Sequence, residues 1–405
     1  YKWGESKEKT YMIHRILIPV VLGILLPYLW IDKSEGQKWG WRKRCLIWCP
    51  AVMMLGYSIY LALQPGFVPK NPLLVDVWFG MMAVCAVPEF VYAFCSFLGK
   101  CCQRCLHTRK NYGRKVGLVL AAIAFVSFVY GFTWGFQKLE VKHITVYVPD
   151  LPKGFDGYRI VLFSDIHMGS YYGWRRGIPQ RDIDSIQAQH ADMICFTGDL
   201  QNAHPSELPP FRSLLASLKA KDGVYSVLGN HDYSYYVKAT AEEKGAIERQ
   251  VQDFERSLGW QLLNNEHVIV HRGRDSIYVA GTENYDKPKH TDVAKALDGI
   301  KPGSFVLMLQ HIPTQWKKMA PSTINEEYGS KDSSLVAPQL TLSGHTHAGQ
   351  VEILGVRPTI FAAYDYGLYE REGCQLYTTA GLGGVVPIRI GATAEIVVIT
   401  LKRKR

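Results

Sequence analysis

Tyr158-Arg159-Ile160-Val161-Leu162-Phe163-Ser164-Asp165-Ile166-His167 reads as a short buried strand that runs straight into an Asp-x-His pair of metal-ligand type. The arrangement recurs four times downstream. Met193 to Phe196 precedes Gly198-Asp199, and Val224 to Leu228 precedes Gly229-Asn230-His231-Asp232. Phe305 to Leu309 precedes a lone His311, and Leu340 to Leu342 precedes Gly344-His345-Thr346-His347. Strands that end this way put their polar residues on short loops along one sheet edge, where open α/β folds carry their sites. A strand also sends alternate side chains to one face, so Asp165 and His167 can reach the same ion.

In this order and on these strands, the motifs resemble those of the calcineurin-like metallophosphoesterases, over roughly Tyr158 to Leu401. The resemblance implies an α/β chain built as a four-layer αββα sandwich. It also implies that Asp165, His167 and His347 hold one metal, that Asn230, His311 and His345 hold another, and that Asp199 bridges the two. His231 would be the catalytic histidine, with Asp232 behind it. The stretch from Gly381-Leu382-Gly383-Gly384 through Ile388-Arg389-Ile390-Gly391 to Glu395 resembles the C-terminal signature of a bacterial membrane-associated branch, similar to UDP-diacylglucosamine pyrophosphatases.

The chemistry of the residue types agrees. Carboxylates, imidazoles and one amide oxygen, with no cysteine among them, suit two divalent ions of Mn, Fe or Zn type and argue against iron–sulfur chemistry. Such a pair can clamp the entering and leaving oxygens of a displacement at phosphorus, the nucleophile being hydroxide held between the ions rather than a side chain. Two aspartates and one hydroxide cancel three of four positive charges, so an anionic phosphate is attracted to what remains. His231, next to Asn230, is placed to give the departing oxygen its proton, and Asp232 to stabilise the imidazolium.

Each fragment alone is weak. Gly-Asp is a common strand-end turn, and a single histidine is more often packed or exposed than functional. The five together in order leave little room for coincidence. His143, His190, His204, His267, His271 and His290 match no motif and read as solvent-facing or structural.

Charge is divided unevenly along the 405 residues. Residues 1–142 hold 18 Lys and Arg against 7 Asp and Glu, so from totals of 46 and 36 the remainder holds 28 against 29. The part with the phosphoesterase motifs therefore lacks the basic excess that a nucleic-acid enzyme needs to neutralise phosphates. The basic third reads as about four transmembrane helices preceding the α/β domain: Tyr11 to Trp30, Leu46 to Leu63, Leu73 to Leu98, and the uncharged Val116 to Phe136. The expected domains are 1–140 and 141–405. Seven of nine cysteines lie in the first, Cys195 reads as a core residue, and no disulfide framework is implied. Asp76 and Glu89 fall inside the third span, where carboxylates are unusual.

Lys and Arg counts orient the spans. Asp32 to Cys45 carries five and Gly99 to Lys115 carries six, whereas Gln64 to Pro72 carries only Lys70. By the positive-inside rule the first and third connections are cytoplasmic, which puts the catalytic domain on the periplasmic or extracellular side of a bacterial inner membrane. That side is away from cytoplasmic UDP-sugars.

Lys138 to Pro149 reads as a connector merging into a first strand, Ile144 to Val148. So short a tether holds the site near the bilayer, which favours a phospholipid or lipid-linked phosphodiester or pyrophosphate as substrate. Tyr171-Tyr172-Gly173-Trp174-Arg175-Arg176 could bind a second phosphate or be an ordinary loop. Two other readings are a phosphatase for soluble phosphomonoesters or nucleotides, and a metal-bound membrane sensor or scaffold without turnover.

Overall fold

The structure, a computed structural model, describes residues 3–63, 71–234, 237, 239–329 and 334–404, with side chains from residue 17 onward. Lys70, counted above in the second connection, lies outside the described residues. The chain divides into two compact units, Tyr1–Thr133 and Trp134–Arg405.

Among the described residues the first unit is helical: α1 (Trp3–Glu35), α2 (Trp41–Ala62), α3 (Pro72–Met81), α4 (Val87–Cys105) and α5 (Gly113–Tyr130). A five-residue π-helical turn, Met82–Ala86, fuses α3 and α4 into one apolar stretch. Among the described residues four stretches are long and apolar enough to cross a membrane: Leu17–Lys38, Trp41–Ala62, Pro72–Cys105 and Gly113–Gly135. They overlap the four expected spans, the first running Leu17–Lys38 where Tyr11 to Trp30 is expected. Apolar side chains give no net drive for helices to associate inside lipid, so close backbone packing has to supply it. Gly99 and Gly113 provide that packing between α4 and α5, where a Cβ on Gly113 would lie 2.1 Å from the Cys95 carbonyl oxygen. Polar groups here are paired across helices: the Tyr28 hydroxyl donates to the Glu89 carboxylate, and the Trp78 indole donates to Ser58 Oγ at 2.8 Å. Glu89 thus links α4 to α1.

Among the described residues the second unit has twelve strands: β1 (Leu139–Val148), β2 (Arg159–Phe163), β3 (Met193–Phe196), β4 (Val224–Ser226), β5 (Gln261–Leu262), β6 (Glu266–Arg272), β7 (Asp275–Gly281), β8 (Val306–Leu309), β9 (Leu340–Ser343), β10 (Gly367–Arg371), β11 (Cys374–Thr378) and β12 (Ala394–Arg403). They form two six-stranded sheets, ordered β1-β12-β2-β3-β4-β5 and β10-β11-β9-β8-β7-β6. The runs β2-β3-β4-β5 and β7-β8-β9-β11 are parallel. Parallel strands are covered on both faces, which is why Ile160 to Phe163 and Val306 to Leu309 are continuous buried apolar runs.

Leu162, Cys195, Val279, Leu307, Leu342 and Ile399 fill the space between the sheets. On the outer face of the first sheet, α6 (Ile178–Gln187) and the helix Ala241–Ser257 bury Ile183, Ile186 and Val251. The second sheet is covered by Leu297, Trp316 and Met319 from the helix Val293–Leu297 and the 3-10 helix Pro313–Met319. This is the four-layer αββα sandwich, with helices segregated to the outside. All nine cysteines are free thiols.

One boundary differs from the sequence reading. β1 begins at Leu139 rather than Ile144, because it pairs in parallel with β12 from Leu139 opposite Ala394 to Val148 opposite Arg403. Glu140, Lys142 and His143 hide the strand pattern in the sequence, while Leu139 and Val141 pack on the core.

Candidate metal centre

The parallel arrangement brings the ends of β2, β3, β4, β8 and β9 to one edge, and the polar loops meet there. Asp199 Oδ2 lies 3.4 Å from His167 Nε2 and 3.1 Å from His311 Nε2, between two groups of side chains. On one side, His167 Nε2 is 3.2 Å from His347 Nε2, which is 3.4 Å from Asp165 Oδ1. On the other, Asn230 Oδ1 lies 3.1 Å from His311 Nε2 and 2.9 Å from His345 Nδ1, and the two ring nitrogens are 3.2 Å apart. Ligand atoms about 2.1 Å from one ion are spaced roughly 3–3.4 Å from one another. Asp165, His167, Asp199 and His347 form a buried cluster of that kind, whose ligand atoms all lie within 4.8 Å. All seven residues named from the sequence are therefore brought together.

Holding these groups in place costs backbone energy. Asp165, His167, Asp199, His345 and His347 all have φ between +50° and +77°, the left-handed region. Each non-glycine residue there costs on the order of 1–3 kcal/mol and persists only where its surroundings over-determine it. The glycines of the motifs permit the close approach. A Cβ on Gly344 would sit 2.2 Å from Asp165 Oδ2, and one on Gly229 would sit 2.1 Å from Asp199 Oδ1.

The protonation pattern fits a cation. Burial, reinforced by the neighbouring imidazoles, lowers His167 to about 3 and His345 to about 4, and holds His347 well below the usual histidine value. These rings stay neutral, with lone pairs available. Burial opposes the charged form of His311 too, but Asp199 and Asp165 outweigh it and raise that ring to about 9. Burial likewise works against ionisation of Asp199, yet His311, His231 and His167 hold its carboxyl well below the normal range. A second contact, His311 Nδ1 to the Thr197 carbonyl at 2.7 Å, turns Nε2 toward the cluster.

The structure corrects the place expected for Asp232. Its two oxygens accept the backbone N–H groups of Asp199 (2.7 Å), Leu200 (2.9 Å), Gln201 (3.1 Å) and Gly229 (2.9 Å), which ties the two metal loops together. The group against His231 Nδ1 is the Asn202 carbonyl, at 2.6 Å. Backbone carbonyls such as those of Thr197 and Asn202 leave no signature in sequence. The Tyr171–Arg176 segment is also only partly as expected: Tyr171 and Arg175 are buried, Arg175 bonding the Ser170 carbonyl at 3.2 Å and stacking near Phe136, while Arg176 and Trp174 face outward. The C-terminal signature acts through the backbone. Buried Arg389 binds the carbonyls of Ala380, Gly381 and Gly383, and the Gly383 N–H donates to the Asp165 carbonyl at 2.8 Å.

Comparison with known proteins agrees with this geometry. Residues 158–349 match the family model described as calcineurin-like phosphoesterase, and residues 14–136 match the one described as probable calcineurin-like phosphoesterase, transmembrane domain. A "Transmembrane protein with metallophosphoesterase domain" of Danio rerio is 31% identical over 329 residues, covering 78% of this chain and 70% of that protein. The chain belongs to the calcineurin-like metallophosphoesterases. Bacterial relatives are similar as well, among them an uncharacterized metallophosphoesterase of Helicobacter pylori strain J99, 29% identical over 73% of this chain and 72% of its own length. Another is YkuE of Bacillus subtilis, 28% identical over 66% of this chain and 86% of its own. Members of this family are metal-dependent hydrolases of phosphoesters, and this one carries its own membrane domain.

Beside the metallophosphoesterase cluster opens a cavity of about 520 Å³, whose lining includes Asn230, His345, Lys287, Thr314 and Thr359.

Two outcomes test the construction of the centre. Asp232→Ala leaves four buried amides without an acceptor, at ~1–3 kcal/mol for each buried donor. Its catalytic domain should unfold at least roughly 6 °C below wild type; an unchanged transition would show that Asp232 does not hold the loops. Chelation should likewise lower the transition, and restoring a divalent ion at a hundredfold its Kd should return ~2.7 kcal/mol per site. Calorimetry that sees no metal dependence would contradict the assignment.

Proposed function

We propose that this metallophosphoesterase binds two divalent ions and hydrolyses a phosphodiester or pyrophosphate bond of a phospholipid or lipid-linked molecule. The observation that carries the two-ion reading is Asp199 Oδ2, which stands within 3.4 Å of an imidazole from each ligand group. Asp165, His167 and His347 would hold one ion, and Asn230, His311 and His345 the other, with Asp199 shared. The donor set, free of thiolate, suits Mn, Fe or Zn. When bound, such ions supply Lewis acidity toward phosphoryl oxygens and make a coordinated water more acidic.

The chain's own residues account for the rest. His231 stacks edge-on to His167 with ring centres 4.8 Å apart, and its Nδ1 contact to the Asn202 carbonyl orients the ring that would pass a proton to the leaving oxygen. Lys287, in the lining of the neighbouring cavity, adds positive charge where a phosphate would lie. The lipid part of the reading is supported by four apolar spans in the same chain and by a tether of three residues, Phe136 to Lys138, between the last span and β1. The basic first and third connections favour a catalytic domain on the periplasmic or outer face of a bacterial inner membrane.

Purified full-length protein, loaded with Mn, Fe or Zn, should hydrolyse a phosphodiester presented in mixed micelles, with a rate that falls as the substrate is diluted in the micelle surface. Rates that follow bulk concentration alone would end the lipid reading. Protease added to intact cells should digest the catalytic domain, and full protection would reverse the orientation. His231→Ala should keep its metal content and lose ~10²–10⁴-fold in kcat on an alkyl phosphodiester. Its loss should be much smaller on an aryl diester, whose leaving group needs no proton; equal losses on both would remove His231 from that role.

A further inference from the structure

Between ligand His347 and β10 the chain makes an excursion, residues 351–363, that the chemistry above does not use. Its tips are apolar and bare: Leu354 is 99% exposed and Phe361 97%, flanked by Ile353, Val356 and Ile360, all more than half exposed. Solvated single leucines are ordinary, but two fully bare apolar tips on one short segment are not.

The segment is firmly built. Ile353 and Val356 exchange two backbone hydrogen bonds of 3.0 Å around a two-residue turn, and Glu352 N–H reaches the Ile390 carbonyl. Both turn residues, Leu354 and Gly355, have positive φ, at +51° and +79°. Such turns favour Asn or Asp followed by Gly, so a leucine in the first place is strained and is held outward nonetheless. The only two charges of the segment, Glu352 and Arg357, pair at 3.1 Å, and Arg357 also holds Asp365 at 3.0 Å. The tips therefore project from a base whose charges are already satisfied. Thr359, Ala362 and Ala363, on either side of Ile360 and Phe361, line the cavity that also contains Asn230 and His345.

The geometry points to residues 351–363 as a two-pronged membrane-docking element, with Leu354 and Phe361 entering the hydrocarbon edge of the bilayer beside the mouth of the metal cavity. The occupant is a lipid surface rather than a protein for reasons within this chain. Four membrane spans already place it in a bilayer, and only three residues separate the last from β1. Apolar prongs next to a cavity that attracts phosphate match a molecule made of both parts. The inference builds on the membrane-borne substrate proposed above and adds where the domain meets the membrane.

The test uses the full chain reconstituted in phosphatidylcholine–phosphatidylglycerol vesicles that contain a phospholipid with a diazirine in its acyl chain. After photolysis, mass spectrometry should find adducts in the peptide around residues 351–363 as well as in the four spans, which serve as the internal control. Leu354→Ser with Phe361→Ser should reduce those adducts and the turnover of a vesicle-borne phosphodiester at least about tenfold, since each large apolar side chain withdrawn from hydrocarbon forfeits roughly that factor or more. Hydrolysis of a soluble aryl phosphodiester should stay within about twofold, which also verifies the fold of the variant. The conservative exchange Leu354→Phe with Phe361→Leu should keep the labelling. Adducts confined to the spans, or the segment cross-linked to a second copy of the chain instead of to lipid, would overturn the inference. A labelled segment in protein that turns over no lipid phosphoester sinks the substrate reading alone, and lipid turnover with an unlabelled segment sinks the docking element alone.

Discussion

Two carboxyl groups, Asp165 and Asp199, are buried within reach of one another and of four imidazoles; burial pushes Asp165 up to about 7, while against burial the imidazoles hold Asp199 well below the usual range. A buried charge is tolerated only with a partner of opposite sign. Here the partners on hand are neutral or weakly basic rings, of which His311 alone is pushed toward its charged form. A buried Asp/His cluster of this kind fits a cation better than a polar network complete in itself. Its assembly also explains why so many residues around it accept left-handed backbone conformations.

Rigidity at the site comes from polar groups that never touch an ion. Asp232 gathers four amides from the loops after β3 and β4, and Glu207 gathers those of Asn202, Ala203 and His204. Arg389 gathers carbonyls from the loop after β11. Each sets one buried side chain against several backbone dipoles, which fixes the loops it gathers. The loops that carry ligands are irregular, yet they are cross-tied as tightly as the sheets they leave.

The membrane unit solves a different problem with different means. With no water to compete, its helices rely on glycine contacts between α4 and α5, and on polar pairs across helix boundaries such as Tyr28 with Glu89. Glu89 stands out in the sequence as an anomaly within an apolar run. In the structure it is a cross-helix anchor.

Periodicity and composition were enough to read the four spans and the buried strands, because each depends on a continuous apolar run, whereas the seven expected ligand positions rested on the motifs' resemblance to the family. Met193 to Phe196 was read to the residue, whereas β1 was read five residues short, since its alternating polar positions become a strand only when β12 is alongside. Asp232 shows the limit most clearly. Its neighbourhood in sequence pointed to His231, but three of the four amides it binds come from residues about thirty positions away. The exposure of Leu354 and Phe361 was equally invisible, since apolar residues in a loop read the same whether they turn inward or out. The sequence by itself determined which side chains could bind a metal and which segments could enter a membrane. Only the tertiary structure decided which backbone groups hold those side chains and which surface stays bare, because both depend on contacts between residues far apart along the chain.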